Sequence, residues 1–253
     1  MKNIIVRNKN VLVELLEDNA SFEKINLASG LDQDIQTQKI IKLATKQRIP
    51  IEELSRYKME KRRGSDTTEV ISGLLRVENN WTLKNLLDDI YKKDQDPFFL
   101  FINRIEFPTN IGMIARTAFA LGVNGLFFQG KENLFFNEET FHFSMGAIAR
   151  IPLVKVGIFE ALKELQKNGI KIFSIQMGGD VYFEEDLLGP IAFVLGDEKA
   201  GVSETISDRC DGKISIPMKK GIDSLNVGIS ASIILSEKVR QESFNFLNKQ
   251  TPR

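Results

Sequence analysis

Five short, almost continuously apolar runs, the first at position 98, do most to constrain the fold of this chain. They are FFLFI (98 to 102), GLFFQ (125 to 129), IKIFSI (170 to 175), IAFVLG (191 to 196) and KISIPM (213 to 218). Such runs are typical of strands covered on both faces, as in parallel sheets. The segments NIGMIARTAFALG, IFEALKELQKNG and SETISDRCDG lie among them, and each closes on glycine near a plausible helix end. We therefore expect an α/β fold, a mostly parallel sheet with helices on both faces.

Residues 1 to 78 have a different pattern and predict a small N-terminal α/β domain. Helices are expected around NVLVELLED and TQKIIKLATKQR, and strands near KINLAS, IPIEEL and VISGLLRV. Residues 79 to 96 are rich in charge and end in DQDP, which predicts a short helix followed by a linker. Residues 97 to 253 then form the second domain, since a single core stops growing at roughly 250 to 300 residues.

The composition excludes several classes of protein. Cys210 is the only cysteine and His142 the only histidine, so there is no intramolecular disulfide and no Cys/His set for zinc. No window approaches the roughly 18 apolar residues of a membrane span, and the N-terminus lacks a signal-peptide pattern. We expect a cytoplasmic protein that needs neither a metal nor a membrane.

The charge balance bears on nucleic-acid binding. The chain carries 34 basic and 34 acidic residues, so a nucleic acid must be held by a local basic face. Residues 39 to 63 contain nine basic and three acidic residues. Contact with phosphates and an ordinary solvated surface explain this excess equally well.

The loop after the first apolar run holds a basic residue in apolar surroundings. Ligands of parallel sheets bind at the carboxyl ends of the strands, so the loops there are candidate sites. A helix is expected after this run, and Asn110 and Gly112 can cap it and begin it. Arg116 lies within the same helix. The arginine either extends to solvent or faces an anion.

The loop after the fourth run, LGDEKAGVSE, contains two glycines and an acid. Gly196 and Gly201 have the spacing of a phosphate loop, but the required Lys-Ser/Thr pair is absent. Nucleoside triphosphates are therefore excluded. Glu198, between the glycines, is either an exposed turn residue or part of a site where a ligand approaches the backbone.

The loop after the fifth run contains GIDSLNVGIS. Asp223, Ser224 and Asn226 precede an apolar helix and either cap it or line a site. The sequence has no Gly-x-Gly-x-x-Gly fingerprint of a dinucleotide site and no Gly-x-Ser-x-Gly hydrolase motif. Dehydrogenase and hydrolase functions are thus disfavoured.

Together, three stretches resemble the three motifs of the SpoU (TrmH-like) family of RNA ribose 2′-O-methyltransferases. NIGMIARTAFALGV resembles the first motif, FVLGDEKAGVSETISDRCDGKISIPM the second and SLNVGISASIILSEKVRQ the third. Residues 1 to 78 are similar in size and plan to the ribosomal-protein-like RNA-binding domain that many members carry. The chain lacks the His-Gln-Gly segment frequent in that domain, and Asp197 and Gly228 stand where Asn and Ser are frequent.

The resemblance implies a fold, a cofactor and a set of site residues. It implies a deep trefoil knot in the C-terminal sheet, S-adenosylmethionine bound in that knot, and an active site completed in a homodimer. The implied catalytic residues are Asn110, Arg116, Glu198, Ser224 and Asn226. The implied cofactor-binding residues are Leu195, Gly196, Gly201, Ile216, Met218 and Leu225.

The expected activity is S-adenosylmethionine-dependent methylation of a ribose 2′-hydroxyl, with ribosomal RNA preferred because an added N-terminal domain is more typical of rRNA-directed members. Two alternatives remain open, a tRNA 2′-O-methyltransferase and a non-catalytic RNA-binding ribosome-assembly factor of the same fold.

Overall fold

The structure is a computed structural model that describes residues 2–30, 34–55, 71–197, 200–221 and 224–250. Its N-terminal unit is a four-stranded sheet with two helices. The elements are β1 (Lys2–Val6), α1 (Lys9–Glu17), β2 (Phe22–Ala28), α2 (Ile35–Lys46), β3 (Ile51–Leu54) and β4 (Ile71–Val77). The strand order is β1-β4-β2-β3, with β4 antiparallel to both of its neighbours and β2 parallel to β3.

The C-terminal unit contains a six-stranded sheet whose described neighbours are all parallel. After α3 (Leu83–Lys92) its elements are β5 (Phe98–Ile102), α4 (Pro108–Ala120), β6 (Gly125–Phe128), α5 (Glu138–Phe143), β7 (Leu153–Lys155), α6 (Ile158–Lys167), β8 (Lys171–Val181), β9 (Ile191–Leu195), α7 (Glu204–Ser207), β10 (Gly212–Ser215) and α8 (Val227–Gln250). The order is β10-β8-β9-β5-β6-β7. The predicted α/β fold is confirmed, whereas the trefoil knot stays a prediction.

Helices cover both faces of this sheet, as predicted. On one face, α4 and α8 pack in the same apolar cluster as the N-terminal unit. On the other, α3, α6 and α7 pack against Phe99, Phe101 and Phe127. The helix expected within residues 79 to 96 is α3, and its apolar side packs on this face of the sheet. It begins at a capping box formed by Thr82 and Asn85.

The two units touch through charged and apolar side chains of residues 138 to 150. Arg7 Nη2 lies 3.3 Å from Glu138 Oε2, and Arg150 lies 3.3 Å from Glu14 and 2.8 Å from Asp18. A Cβ at Gly146 would lie 2.6 Å from a methyl of Val11, so the Val11 side chain packs directly on the backbone of Gly146. The N-terminal unit is thus docked on the same face of the sheet as α4.

Among the helices that the structure describes, none combines the length and the apolar character needed to span a bilayer.

Candidate active site

A cavity of about 480 Å³ opens at the carboxyl ends of β8, β9 and β10. All six residues predicted to contact the cofactor line it, namely Leu195, Gly196, Gly201, Ile216, Met218 and Leu225. Ser224 lines it as well. Residues from the ends of different strands and from the segment before α8 are therefore brought together as the parallel topology predicts.

The β8 side of the cavity was not predicted. Gln176 and Met177 line it next to Ile175, the last residue of the apolar run, because β8 continues to Val181, six residues beyond that run. Gly179 makes this continuation possible, since a Cβ there would lie 2.5 Å from the carbonyl carbon of Lys213 on β10. The glycine pair after Met177 was the one sequence signal that a close backbone approach follows.

A tight turn forms the β9 side. Asp197 N donates to Gly201 O over 3.1 Å, and Gly201 N donates back to Asp197 O over 2.8 Å. Gly201 has φ +67°, which favours glycine. A Cβ at Gly196 would lie 2.1 Å from the carbonyl carbon of Gly201, so no side chain fits at position 196.

Asp197, which stands where the family more often has Asn, has a structural role in this turn. Its Oδ1 accepts a hydrogen bond from Ala200 N over 2.8 Å, which closes the turn from inside. Glu198 lies outside the described residues, so its position in the site stays a prediction.

The first and third motifs meet beside the cavity. Asn226 Nδ2 donates to Asn110 Oδ1 over 3.0 Å, and Asn226 Oδ1 accepts from Gly228 N over 2.8 Å. Asn226 therefore caps α8 and also contacts α4. The capping interpretation is correct for Asn226; Ser224 is exposed and stands two residues further from the helix.

The expected cap of α4 was wrong. The helix begins at Pro108 and its N-cap residue is Phe107, so Asn110 lies inside the first turn. Proline suits this position because its fixed φ matches the helix and its missing N–H needs no partner there. Asn110 is consequently buried, 8% exposed, and held toward Asn226.

Arg116 lies further along α4 with an exposed side chain. Among the described residues none pairs with its guanidinium, which leaves the group available to an anion. The helix itself is fixed to α8, since Thr117 and Ser232 share a hydrogen bond of 3.2 Å between their hydroxyl oxygens. Gly228 of α8 lies beside Met113 of α4, where an added Cβ would be in ordinary van der Waals contact at 3.4 Å.

Two alternative chemistries find no support in this geometry. Burial raises the pKa of the Cys210 thiol to about 12, so it is not a thiolate nucleophile at neutral pH. Within the described ranges, no three His, Cys, Asp or Glu side chains are grouped so that they could hold a metal ion.

A parallel, helix-covered sheet with a cavity at the carboxyl ends of its strands is typical of α/β proteins that bind a small organic ligand. The model of the SpoU rRNA Methylase family matches residues 97 to 236, more than half of the chain. The chain belongs to this family and is an S-adenosylmethionine-dependent RNA methyltransferase. A second model, described as RNA 2′-O ribose methyltransferase substrate binding, matches residues 9 to 68.

Two relatives align with nearly the whole of this chain. YacO of Bacillus subtilis, named for the TrmH family of tRNA/rRNA methyltransferases, is 29% identical over 248 residues, covering 94% of this chain and 96% of that protein. A tRNA/rRNA methyltransferase of Mycolicibacterium gilvum, named as uncharacterized, is 28% identical over 240 residues, covering 94% and 76%.

Solved structures support the fold. The SpoU methyltransferase AviRb of Streptomyces viridochromogenes, in complex with AdoMet, has a TM-score of 0.79 at 22% identity, covering 95% of this chain and 90% of that one. An AdoMet-bound rRNA methyltransferase of Sinorhizobium meliloti has a TM-score of 0.76 at 19% identity, covering 94% and 87%.

Proposed function

We propose that this protein transfers a methyl group to a ribose 2′-hydroxyl, with ribosomal RNA as its substrate. The observation that carries the proposal is the contact between Asn226 and Asn110, 3.0 Å long, at the edge of the cavity. It joins the first and third motifs beside the place where the second motif forms the cavity wall. A nucleotide and a cofactor bound there lie next to each other.

The cavity suits S-adenosylmethionine in size and lining. Its volume falls within the roughly 300 to 1,000 Å³ typical of small-ligand sites. Leu195, Gly196 and Gly201 bring the main chain to the cavity wall, with no side chain at the two glycines, and Ile216, Met218 and Leu225 offer apolar surface. The cofactor supplies a methyl group on a sulfonium, which needs no metal because the group leaves behind a neutral thioether.

Arg116 is assigned to stabilise the oxyanion that develops when the 2′-hydroxyl loses its proton. A guanidinium is effectively always protonated in proteins, so the arginine is a poor general base. Its fixed positive charge still lowers the energy of the developing alkoxide, while water or a phosphate oxygen accepts the proton. The absence of a partner among the described residues supports this role.

The remaining polar residues are assigned to position the ribose. Asn110 and Asn226 each donate and accept hydrogen bonds, which suits a hydroxyl and its neighbouring phosphate. Ser224 lines the cavity mouth. Glu198 is proposed to orient Asn110 or Arg116, and a pH–rate profile of Glu198→Gln separates orientation, which lowers the rate at every pH, from general-base catalysis, which removes a titration.

The preference for ribosomal over transfer RNA rests on the presence of the N-terminal unit, whose residues 9 to 68 match a substrate-binding model that names RNA without its class. The names of the relatives include both RNA classes. The basic segment 39 to 63 is only partly described: Lys39 pairs with Glu17 at 2.7 Å, and residues 56 to 63 lie outside the described ranges.

We also infer a cytoplasmic homodimer. On α4 and α8, the apolar side chains of Met113 and Ile229 are 39% and 46% exposed. Covering them with a second copy of the chain buries apolar surface beside Arg116. Sedimentation of the wild type against Ile229→Glu tests this: we expect a dimer that the substitution weakens, and a wild-type monomer contradicts it.

The function is tested with purified protein, tritiated S-adenosylmethionine and RNA from cells that lack the protein. We expect the label in ribosomal RNA. It should remain on the RNA when the bases are removed, and nucleoside analysis should locate it on a ribose. Label in transfer RNA overturns the substrate assignment, label on a base overturns the 2′-hydroxyl, and no label in any RNA favours a non-catalytic binding factor.

A further inference from the structure

A second cavity, of about 560 Å³, lies between the N-terminal unit and the methyltransferase unit. Its walls include Asp18 at the end of α1, Arg76 on β4, Phe119 on α4 and Arg150. It is separate from the cavity at the carboxyl ends of β8, β9 and β10, with which it shares no lining residue. We call it the interdomain cleft.

A rigid cation–aromatic pair forms one wall of the interdomain cleft. The Cζ of Arg150 lies 4.6 Å from the ring centroid of Phe119. The guanidinium is held from the N-terminal unit by Glu14 at 3.3 Å and Asp18 at 2.8 Å. Because both carboxylates hold the Arg150 guanidinium in one orientation, little further side-chain entropy is lost when a planar ligand stacks on it.

The opposite wall carries a cation with its side chain unpaired. Arg76 is exposed, and no side chain within the described ranges makes an ion pair or hydrogen bond with it. Its backbone N–H donates to Ser21 O over 2.8 Å, which fixes the strand at this point. Two guanidiniums face three carboxylates here, because Glu14 and Asp18 both pair with Arg150 and Glu78 is exposed at the rim, so attraction for a phosphate is local to the unpaired side chain of Arg76.

The interdomain cleft is continuous with the helix that carries the proposed catalytic arginine. Phe119 follows Arg116 by three residues on α4, so the two side chains are neighbours on the helix surface, about 4.5 Å apart along its axis. Phe119 is 36% exposed. An RNA strand whose target ribose lies at Arg116 therefore passes the cleft mouth.

We propose that the interdomain cleft binds an unstacked RNA nucleotide next to the methylated one, with its base against the Phe119–Arg150 pair and its phosphate at Arg76. Proteins hold single-stranded RNA in this manner, by stacking bases on aromatic rings and guanidinium planes and by pairing phosphates with cations. The inference rests on the proposed function, because it assumes that the target RNA strand lies at Arg116. The nucleotide site itself contains none of the proposed catalytic residues.

The chain contains a matched control for this site. Phe159 on α6 also lies under an arginine, with Arg209 Cζ 4.7 Å from its ring centroid, and is 45% exposed. It belongs to the layer on the opposite face of the sheet from α4. Replacing Phe159 thus removes an equivalent pair far from the interdomain cleft.

The test measures binding of a fluorescein-labelled oligouridylate of about 12 nucleotides by anisotropy over a range of salt concentrations. We expect Phe119→Leu to weaken binding about tenfold, Phe119→Tyr to keep wild-type affinity, and Phe159→Leu to change nothing. Arg76→Gln should reduce the slope of log affinity against log salt by about 0.7, the value for one phosphate on a single strand.

Affinity for S-adenosylmethionine, measured by calorimetry, should be unchanged in all four variants. A loss of that affinity in Phe119→Leu means that α4 has been disturbed and overturns the assignment. Equal oligouridylate binding by wild type and Phe119→Leu also overturns it and assigns the cleft to a ligand other than RNA. If the wild type methylates no RNA but Phe119→Leu still loses oligouridylate binding, the proposed function fails and the nucleotide site stands.

Discussion

Asn226 Nδ2 donates to Asn110 Oδ1 over 3.0 Å, across 116 positions of sequence, and the same Asn226 accepts the Gly228 N–H that begins α8. A single side chain therefore fixes the start of α8 against the first turn of α4. The relative placement of the first and third motifs depends on this amide pair.

Replacing Asn226 with serine separates its two roles. Serine is as good an N-cap as asparagine but is too short to reach Asn110. We expect Asn226→Ser to keep the wild-type free energy of unfolding and to lose about tenfold or more in methylation rate, since small misplacements of reacting groups are costly. In single-turnover assays, Asn110→Ala combined with Asn226→Ser should be no slower than Asn110→Ala alone. Fully multiplicative losses would show that the two amides act independently.

Gly196 tolerates no side chain. Because an added Cβ lies 2.1 Å from the carbonyl carbon of Gly201, Gly196→Ala must open the turn that walls the cavity. Overpacking of this kind costs about 1 to 3 kcal/mol, so we expect S-adenosylmethionine affinity to fall tenfold or more. Gly157→Ala is the matched control, with φ −65° and its nearest contact at 4.0 Å. Equal calorimetric affinities of both variants would contradict the assignment of the cavity.

Asp34 gives the N-terminal unit an acid-sensitive step. The side-chain hydrogen bond from Lys9, followed by that from the Thr37 N–H, lowers the pKa of Asp34 from 3.8 to about 2. A depressed carboxyl pKa stabilises the fold above the unfolded pKa and loses that contribution as pH falls through the folded value. The free energies of unfolding of the wild type and Asp34→Asn, measured in urea, should therefore become equal as the pH falls from about 4 to about 2. A constant difference over this range would show that Asp34 acts only as a helix cap.

Lys238 is a buried cation on α8 that anchors the segment before β9. It is 1% exposed, donates to Gly189 O over 2.9 Å and pairs with Glu242. Lys238→Met keeps the volume but leaves the carbonyl without its donor, so we expect a loss of about 1 to 3 kcal/mol in free energy of unfolding. Glu242→Gln should cost less, because that carboxylate is 42% exposed. Urea denaturation in which the methionine variant matches the wild type would contradict this role.

Much of the fold follows from apolar patterning. FFLFI became β5, at residues Phe98–Ile102, because every one of its side chains is buried between two helical layers. Strands that are short, or that mix polar with apolar residues, are harder to predict from sequence. β7 is the three-residue LVK at the sheet edge, and β1 is KNIIV, in which the burial of Ile4 depends on pairing with β4. Neither was predicted, because tertiary pairing decides such strands more than their own composition does.

The site was predicted through its motifs, and its unpredicted parts lie where motifs give no information. Gln176 and Met177 line the cavity only because β8 continues past its apolar run beside β10. The interdomain cleft joins Arg76 and Phe119 from two separate units, and no local pattern announces such a contact. Sequence motifs predicted the family and its cofactor, whereas the meeting of distant segments required the fold.

We propose that Arg116 promotes the methyl transfer without holding the cofactor, and single-turnover methylation by Arg116→Ala measures this directly. We expect Arg116→Ala to bind S-adenosylmethionine with wild-type affinity. Its methylation rate should fall by at least about 100-fold, because one donor to a developing oxyanion contributes at least this factor. Arg209→Ala, on the opposite face of the sheet, serves as the control and should methylate normally. Wild-type turnover by Arg116→Ala would contradict the proposed mechanism.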